Sequence, residues 1–165
     1  MTESGNLAFR RMMGRFITGV AVVLTTGEDG PVGLTVNSLT SLSLDPPLLL
    51  FCAKNGSRTA RTVVEQGLFS VNILADAQED VSGYFAGRTG HWDATSCGRH
   101  GRWLAIPDTN GVLLCEVACV YPGGDHTIVV GEVKDIVAPA AARQPLLYHE
   151  GRYGMMVLPS PAVHV

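Results

Sequence analysis

Residues 33–47 read GLTVNSLTSLSLDPP, and the fold can be worked out from this hydroxyl-rich run outward. If the run is one extended strand, its aliphatic side chains share one face: Leu34, Val36, Leu42 and Leu44. The other face then carries short polar side chains: Thr35, Asn37, Ser41 and Ser43. At about 3.3 Å per residue, such a strand would line most of one wall of a small barrel. A face of short donors and acceptors suits a flat polar ligand, and it is equally compatible with a solvated strand.

Apolar strands flank this run on both sides. Residues 19–26 (GVAVVLTT) predict a buried strand, and residues 27–30 (GEDG) predict the hairpin turn that follows it. Residues 45–47 (DPP) end the central strand because proline has no amide to donate. Residues 48–53 (LLLFCA) predict the next buried strand. Strands joined by such short turns pair antiparallel.

Two or three short helices are predicted among the strands. Residues 6–16 predict an amphipathic helix that caps the domain, with these apolar side chains at helical spacing: Phe9, Met12, Met13 and Phe16. Ser57 is placed as the N-cap of a second helix, and Gly67 follows its last turn. Asp76 and Glu79 resemble a capping box for a third helix.

The second half of the chain predicts a loop and more hairpins. Residues 86–102 are polar and rich in glycine, so we expect a long loop over the mouth of the domain. Strands are predicted at residues 68–74, 112–121, 127–137, 146–149 and 153–158. About seven strands joined by hairpin turns indicate a single domain, residues 1–165, that is mainly β with short helices and an antiparallel barrel.

The composition narrows the possible partners. Charged residues make up only 16% of the chain, so part of the surface is expected to be apolar and covered by a second subunit. The net charge is −3 and no run of Lys or Arg occurs, which argues against a nucleic-acid partner. No signal peptide and no membrane-spanning run is recognisable, so we expect no membrane association and a cytoplasmic location.

The cysteines suggest neither a disulfide framework nor a metal site. The chain has four: Cys52, Cys97, Cys115 and Cys119. Cys97 and His100 have the spacing of metal ligands, and His91 could supply a third. A structural zinc site needs four ligands, so no metal site is predicted.

Two short polar segments are candidates for ligand binding. No Walker-type loop or glycine-rich dinucleotide fingerprint follows a strand, so a phosphate would have to bind elsewhere. The segment Ser57-Arg58-Thr59 offers a helix N-terminus, two hydroxyls and a guanidinium. His126 follows a tight turn and could donate to a carboxamide or phosphate, with Asp125 orienting its ring. Each segment also has an ordinary structural interpretation: the first as a helix cap with a solvated arginine, and the second as a polar turn.

Five collinear runs span nearly the whole chain: FITGVAVVLTT (16–26), GLTVNSLTSLSLDPPLLLFCAKNGSRTA (33–60), GLFSVNILADAQEDVSGYFAGR (67–88), GGDHTIVVGEV (123–133) and PLLYHEGRYG (145–154). Through them the sequence resembles the flavin reductases of the FMN-binding split-barrel group, the small components of two-component flavin-dependent monooxygenases. The resemblance implies an antiparallel split β-barrel that forms a homodimer, with a flavin ring in a groove near the subunit interface.

The resemblance also implies roles for individual residues. It implies these cofactor-binding positions: Thr35, Val36, Asn37, Ser38, Ser41, Cys52, Ala53, Lys54, Ser57, Arg58, Thr59 and Tyr153. It places His126 on the nicotinamide side as the catalytic residue, and Thr18 and Gly19 near the site. Glu150 stands where a basic residue is frequent, which argues against a phosphate contact from that turn.

The expected function is that of an NAD(P)H:flavin oxidoreductase. It would transfer a hydride from NADH or NADPH to FMN or FAD and supply the reduced flavin to a partner monooxygenase. This agrees with a sequence that offers no evident nucleophile, general acid or general base. Two alternatives stay open: an oxidase or reductase that holds its flavin tightly, and a non-catalytic flavin- or haem-binding module.

Overall fold

The computed structural model of the chain describes residues 3–88, 92–139, 141 and 143–156. These residues form three α-helices: α1 (Glu3–Gly14), α2 (Arg58–Gln66) and α3 (Glu79–Phe85). They also form two short 3-10 helices, at Asp76–Gln78 and Ala94–Ser96. The strands are β1 (Thr18–Gly19), β2 (Ala21–Gly27), β3 (Gly30–Val36), β4 (Thr40–Leu44), β5 (Pro47–Lys54), β6 (Leu68–Ile73), β7 (Gly98–His100), β8 (Trp103–Ala105), β9 (Gly111–Gly123), β10 (His126–Val137), β11 (Leu147–His149) and β12 (Arg152–Gly154).

Seven of the strands form one antiparallel sheet in the order β3-β2-β6-β9-β10-β5-β4. Hairpins join β2 to β3, β4 to β5, and β9 to β10, as the sequence predicted. Two smaller sheets contain β1-β11-β12 and β7-β8. The predicted architecture, mainly β and antiparallel with short helices, is confirmed.

The seven-stranded sheet curls, and a side chain in the connection between its two outermost strands bonds the main chain of β5. The outermost strands, β3 and β4, are consecutive in the chain and are separated by residues 37–39. Ser38 in this connection hydrogen-bonds the main chain of Cys52 on β5. Within the described strands, β3 and β5 are not ladder neighbours, so the sheet forms a barrel with an open seam. This arrangement agrees with the expected split barrel.

Two apolar clusters lie on opposite faces of β2. On the inner face, Ala21 and Val23 pack with Phe51 and Phe69, whose ring centroids are 5.4 Å apart. The outer cluster packs with α3 and β8 and includes Val22, Leu24, Phe85 and Leu104. Because side chains alternate along a strand, burial on both faces explains why β2 begins with four apolar residues in a row.

The prediction of one strand over residues 33–47 is wrong. β3 ends at Val36 and β4 begins at Thr40, with Ser38 turned toward Cys52 between them. A serine hydroxyl that satisfies the amide and carbonyl of another strand competes with the extended ladder. The chain therefore bends here, and the predicted continuous polar face is divided between two strands at opposite ends of the sheet.

The first helix is also placed differently from the prediction. It is amphipathic, but it does not cap the domain, because Met12 is 63% exposed and Phe16, just beyond its end, is 69% exposed. Leu7 and Phe9 are exposed as well. No helix among the described residues is long and apolar enough to cross a membrane.

Two further local predictions need correction. The third helix has no Asp76–Glu79 capping box, since Gln78 Oε1 accepts from the amide of Ala75 at 3.0 Å and begins a 3-10 turn instead. Residues 86–102 are not only a loop, because they include β7, and Trp92 and Cys97 pack on the outer cluster. Residues 157–158 of the last predicted strand, and His91, lie outside the described residues.

Candidate functional site

A groove of about 1480 Å³ lies between α1 and the open seam of the barrel. One wall comes from α1 and the segment of residues 14–21. The other comes from the connection at residues 37–40, from His126 at the start of β10, and from the turn at Glu150. The groove therefore lies where the hydroxyl-rich run bends and where the turn at Gly124-Asp125-His126, called the GDH turn below, ends.

Ser38 fixes the shape of the groove beside β5. Its Oγ accepts from the amide of Cys52 at 3.0 Å and donates to the carbonyl of Cys52 at 3.2 Å. The next residue upstream, Asn37, is exposed in the groove wall, and its carboxamide makes no hydrogen bond to any described residue. Asn37 thus presents a free donor and a free acceptor at the bend.

His126 is held by its neighbour in the sequence. Its Nδ1 lies 2.8 Å from Oδ1 of Asp125, which leaves Nε2 for a ligand. The hydrogen bond from His126 is the main cause that lowers the pKa of Asp125, with the charges of His126 and Lys54 adding to it. Lys54 is the ladder partner of His126 across β5 and β10. The turn therefore carries an oriented imidazole beside a cationic side chain.

Asn55 attaches this turn to β5, a role that the sequence analysis missed. Its Nδ2 donates to the carbonyl of Gly124 at 2.9 Å, and its Oδ1 accepts from Thr127 Oγ1 at 3.0 Å. Its main-chain amide donates to the carbonyl of Asp125 at 3.0 Å. Asn55 donates two hydrogen bonds and accepts one, and together they hold the GDH turn against the end of β5. An Asn-Gly pair after a strand was the available signal, but it indicates only a turn.

The start of α2 follows directly on this region. Ser57 is the N-cap and its Oγ accepts from the amide of Ala60 at 3.2 Å, as predicted. Thr59 donates its hydroxyl to the carbonyl of Gly33 at 2.9 Å, so it joins α2 to β3. Arg58 is exposed, and its nearest acid is Asp29 at 4.0 Å. The two hydroxyls are engaged in the fold, and the first-turn amides with Arg58 remain as the groups that could receive a phosphate.

The predicted site residues fall into two groups. Asn37, Ser38, Cys52, Lys54 and His126 come together at the end of β5. Ala53 lies between them in the sequence, but its side chain is buried in the barrel, as is that of Val36. Ser41 is exposed on β4, on the side of the bend away from β3.

Thr35 and Tyr153 belong to a different cluster. The hydroxyl of Thr35 donates to the carbonyl of Ser82 in α3 at 2.7 Å. The hydroxyl of Tyr153 lies 2.8 Å from Oγ of the same serine. Thr35 pairs with Val22, a residue of the outer cluster, so its side chain lies on the opposite face of β3 from the barrel interior. These two predicted contacts therefore meet at Ser82, and neither residue is among those that line the groove.

The charges and the free polar groups of the groove suit a flat, phosphorylated ligand. Arg10 and Arg11 line it and form no ion pair within the described residues, whereas Arg15 Nε lies 3.9 Å from Oε1 of Glu150. Thr18 has a buried hydroxyl with no hydrogen-bond partner among the described residues, and it also lines the groove. In the same residues no three His, Cys, Asp or Glu side chains could hold a metal ion. The two arginines and the free carboxamide of Asn37 are the groove's groups that fit the phosphates and ring amides of a flavin and a dinucleotide.

Comparisons with known proteins identify relatives of the chain. Residues 13–156 match the family described as "Flavin reductase like domain". Over 149 residues the chain is 39% identical to the "Flavin-dependent monooxygenase, reductase subunit HsaB" of Mycobacterium tuberculosis, with 88% of this chain and 79% of that protein covered. Over 161 residues it is 35% identical to the "NADH-dependent FMN reductase AsuE2" of Streptomyces nodosus subsp. asukaensis, with coverage of 92% and 85%.

A solved structure has the same fold. The flavin reductase PheA2 in its native state superposes with a TM-score of 0.87 at 30% sequence identity. The match covers 96% of this chain and 100% of that chain. The split-barrel fold expected from the sequence is therefore shared along nearly the whole length of both chains.

Proposed function

Because the chain belongs to the flavin reductase like domain family, we propose that its groove binds a flavin and a dihydronicotinamide dinucleotide together. The protein is an NAD(P)H-dependent flavin reductase that uses FMN or FAD. When bound, the flavin ring supplies the redox chemistry, because it accepts a hydride from the dihydronicotinamide, and a proton from solvent completes its reduction. The oxidised nicotinamide and the reduced flavin are the two products.

The observation that carries this proposal is the meeting of three segments at the end of β5. Ser38 fixes the bend at Cys52, Asn55 fixes the GDH turn, and Ser57 begins α2. The bend at Asn37 and Ser38 would hold the flavin ring, and the first-turn amides of α2 with Arg58 would hold the phosphate of the flavin. These hydrogen bonds between side chains and main chain hold the three segments rigidly. When the cofactor performs the chemistry, the protein accelerates the reaction mainly by orienting the two reactants.

His126 is the proposed contact of the nicotinamide. Its Nδ1 is occupied by Asp125, so Nε2 is the ring nitrogen left for a ligand. An imidazole held in this way can bind a carboxamide or a phosphate oxygen and fix the position of the nicotinamide ring. His126 does not exchange a proton with the substrate in this proposal, since hydride transfer between two rings needs no base.

A monooxygenase is the proposed recipient of the reduced flavin. HsaB is named as the reductase subunit of a flavin-dependent monooxygenase, and the chain covers 79% of it. An open groove allows the reduced flavin to leave for a second protein. A cytoplasmic location stays a prediction.

A second copy of the chain is the proposed cover of α1. Leu7, Phe9, Met12, Met13 and Phe16 are each about half exposed or more, which is far more apolar surface than a short surface helix usually presents. The same helix forms one wall of the groove. A homodimer that buries α1 would therefore bring the second copy next to one wall of the groove.

The test is reduction and release of flavin without oxygen. The protein is mixed anaerobically with excess FMN and NADH, and the mixture is passed through a membrane that retains the protein. The proposal predicts that reduced FMN and oxidised nicotinamide appear in the filtrate in equal amounts. Reduced flavin that stays with the protein would indicate the tightly held cofactor of an oxidase, and no reduction at all would indicate a binding module.

A further inference from the structure

A single acidic side chain lies among the cationic groups of the groove. Of the described residues that line the groove, only Glu150 carries a carboxylate, whereas three arginines line it: Arg10, Arg11 and Arg15. The ligands proposed for this groove are themselves anions, because each of them carries phosphate groups. A carboxylate in such a site repels its ligands at short range. The glutamate therefore needs an explanation, either in the fold or in the choice of ligand.

The fold does not account for a glutamate at this position. Glu150 and Gly151 form the two-residue turn between β11 and β12, and both have a positive φ, 46° and 82°. Such a turn prefers Asn, Asp or Gly at its first position, and a glutamate adopts this backbone conformation with strain. The ion pair of Glu150 with Arg15 spans 3.9 Å between exposed side chains, and such pairs add little stability. The glutamate therefore serves neither the turn nor the stability of the fold.

The turn lies against the end of α1. The amide of Glu150 donates to the carbonyl of Gly14 at 2.8 Å. Gly14 follows Arg10 and Arg11 by about one helical turn, so these three positions share one face of α1. Arg10 and Arg11 form no ion pair within the described residues. Because Arg15 is paired with Glu150, the described part of this groove wall offers two unpaired cations to a ligand.

Two cations match the charge of a pyrophosphate, which NADH and NADPH have in common. NADPH differs from NADH by a phosphate on the 2′ hydroxyl of its adenosine ribose. This phosphate adds about −1.5 to −2 charge near neutral pH. The wall has no unpaired cation left for it, and the carboxylate of Glu150 would lie beside it.

We propose that Glu150 makes the protein select NADH over NADPH, because its carboxylate accepts from the free hydroxyls of the adenosine ribose and repels a phosphate at that position. This inference rests on the proposed function. An acid that accepts from the 2′ hydroxyl of this ribose is also how Rossmann folds recognise NAD. Here the acid is supplied by a hairpin turn of a barrel.

The experiment compares the two nucleotides in variants of this turn. Glu150→Gln removes the charge and keeps an acceptor, Glu150→Lys reverses the charge, and Glu150→Asn removes the charge and suits the turn. The steady-state kcat/KM is measured for NADH and for NADPH with saturating FMN. Calorimetric titration of NAD⁺ and NADP⁺ into the FMN-saturated protein gives the two affinities without turnover.

Glu65→Lys is the matched control for the total charge of the protein. Glu65 is exposed in the last turn of α2 and is not among the described residues that line the groove. The charge changes by the same amount as in Glu150→Lys. Any general effect of net charge on an anionic substrate should therefore appear in both variants.

The wild type should prefer NADH by about tenfold or more in kcat/KM. Glu150→Gln and Glu150→Asn should each reduce this preference by about tenfold, and Glu150→Lys by about a hundredfold, through the KM for NADPH rather than through kcat. The preference in Glu65→Lys should stay within about twofold of the wild type. The midpoint of thermal unfolding without ligand should stay the same or rise in Glu150→Asn, because asparagine fits the turn better.

Three results would overturn this inference alone, since the flavin reductase reaction would still occur in each. The first is a wild type that uses NADPH as well as NADH. The second is a preference for NADH that is unchanged in Glu150→Gln and Glu150→Lys. The third is a Glu65→Lys variant that loses as much of the preference as Glu150→Lys. A wild type that oxidises neither nucleotide with FMN or FAD would overturn the proposed function, and this inference with it.

Discussion

Ser38 and Cys52 are joined by two hydrogen bonds between one side chain and one main-chain residue, at 3.0 Å from the amide and 3.2 Å from the carbonyl. At this point of β5 the Ser38 hydroxyl makes the hydrogen bonds that the main chain of a neighbouring strand would otherwise make. It also forces the bend that separates β3 from β4. One serine thus shapes both the seam of the barrel and the wall of the groove.

Ser38→Ala should destabilise the protein and loosen flavin binding. The change leaves a partly buried amide and carbonyl without their partner, and the free energy of unfolding should fall by about 1–3 kcal/mol. Urea denaturation measures this. Ser41→Ala is the control for stability, since Ser41 is exposed on β4 and should change the free energy by less than about 0.5 kcal/mol. Equal stability losses in the two variants would contradict the role of Ser38.

Substitutions at Ser57 should separate the helix cap from the phosphate site. Asn and Asp both cap a helix well, so Ser57→Asn and Ser57→Asp should keep the stability, whereas Ser57→Ala should lose about 1 kcal/mol. Only the aspartate places a negative charge where the phosphate is proposed to bind. Ser57→Asp should therefore weaken FMN much more than Ser57→Asn does.

Riboflavin provides the control for this comparison, because it has the same ring and no phosphate. Its affinity should be the same in Ser57→Asp and Ser57→Asn. If FMN and riboflavin lose affinity equally in Ser57→Asp, the phosphate does not bind at the start of α2.

His126→Ala should impair the use of the nicotinamide much more than the binding of flavin. Loss of the oriented imidazole should raise the Michaelis constant for NADH or lower turnover by about ten- to a hundredfold. The dissociation constant of FMN should stay within about twofold. Steady-state kinetics and a flavin titration measure the two effects, and an unchanged Michaelis constant with unchanged turnover would remove His126 from the site.

Asp125→Asn should give a smaller effect of the same kind, because it keeps the ring but weakens its orientation. The pKa of Asp125 is lowered by the hydrogen bond from His126. Because the folded-state pKa lies below its usual value, the carboxylate stays ionised at and above the ordinary pKa of aspartate, and the pair is lost only as the pH falls below that range. Protonation of Asp125 should therefore change the ratio of wild-type to Asp125→Asn activity only at acid pH, which a pH profile of the two activities measures.

Met12→Glu should convert the proposed dimer to a monomer. The side chain is 63% exposed on α1, and a carboxylate in a buried interface would be unpaired. Val64→Glu makes the same kind of change at an exposed apolar residue of α2 and should leave the dimer intact. Size-exclusion chromatography with light scattering measures the mass, and a wild-type monomer would contradict the dimer outright.

Local signals in the sequence predicted those elements whose structure depends on neighbouring residues. The cap at Ser57 and the left-handed Gly67, with a φ of 69°, close α2 as expected, because capping is decided within one turn. The GDH turn between β9 and β10 was also predicted, because glycine is typical of tight turns. Gly124 has a φ of 71°, which glycine adopts without strain.

Features that depend on distant residues could not be predicted in this way. The bend at Ser38 exists because Cys52, far along the chain, receives its hydroxyl, and the residues around the bend alternate as a strand would. The alternation of polar residues placed Thr35 on the predicted ligand-binding face. In the structure its hydroxyl instead donates to the carbonyl of Ser82 in α3. The exposure of α1 likewise cannot be predicted from its periodicity. An apolar helix face has the same sequence pattern whether its own domain or a second subunit covers it.

The most direct test of the central claim is the oxidation of NADH by the purified protein with and without added flavin. The absorbance of NADH is followed in air, first with the protein alone, then with FMN and with FAD, and then with NADPH in place of NADH. The account predicts rapid oxidation that appears only when a flavin is added. The absence of oxidation of either nucleotide with either flavin would contradict it.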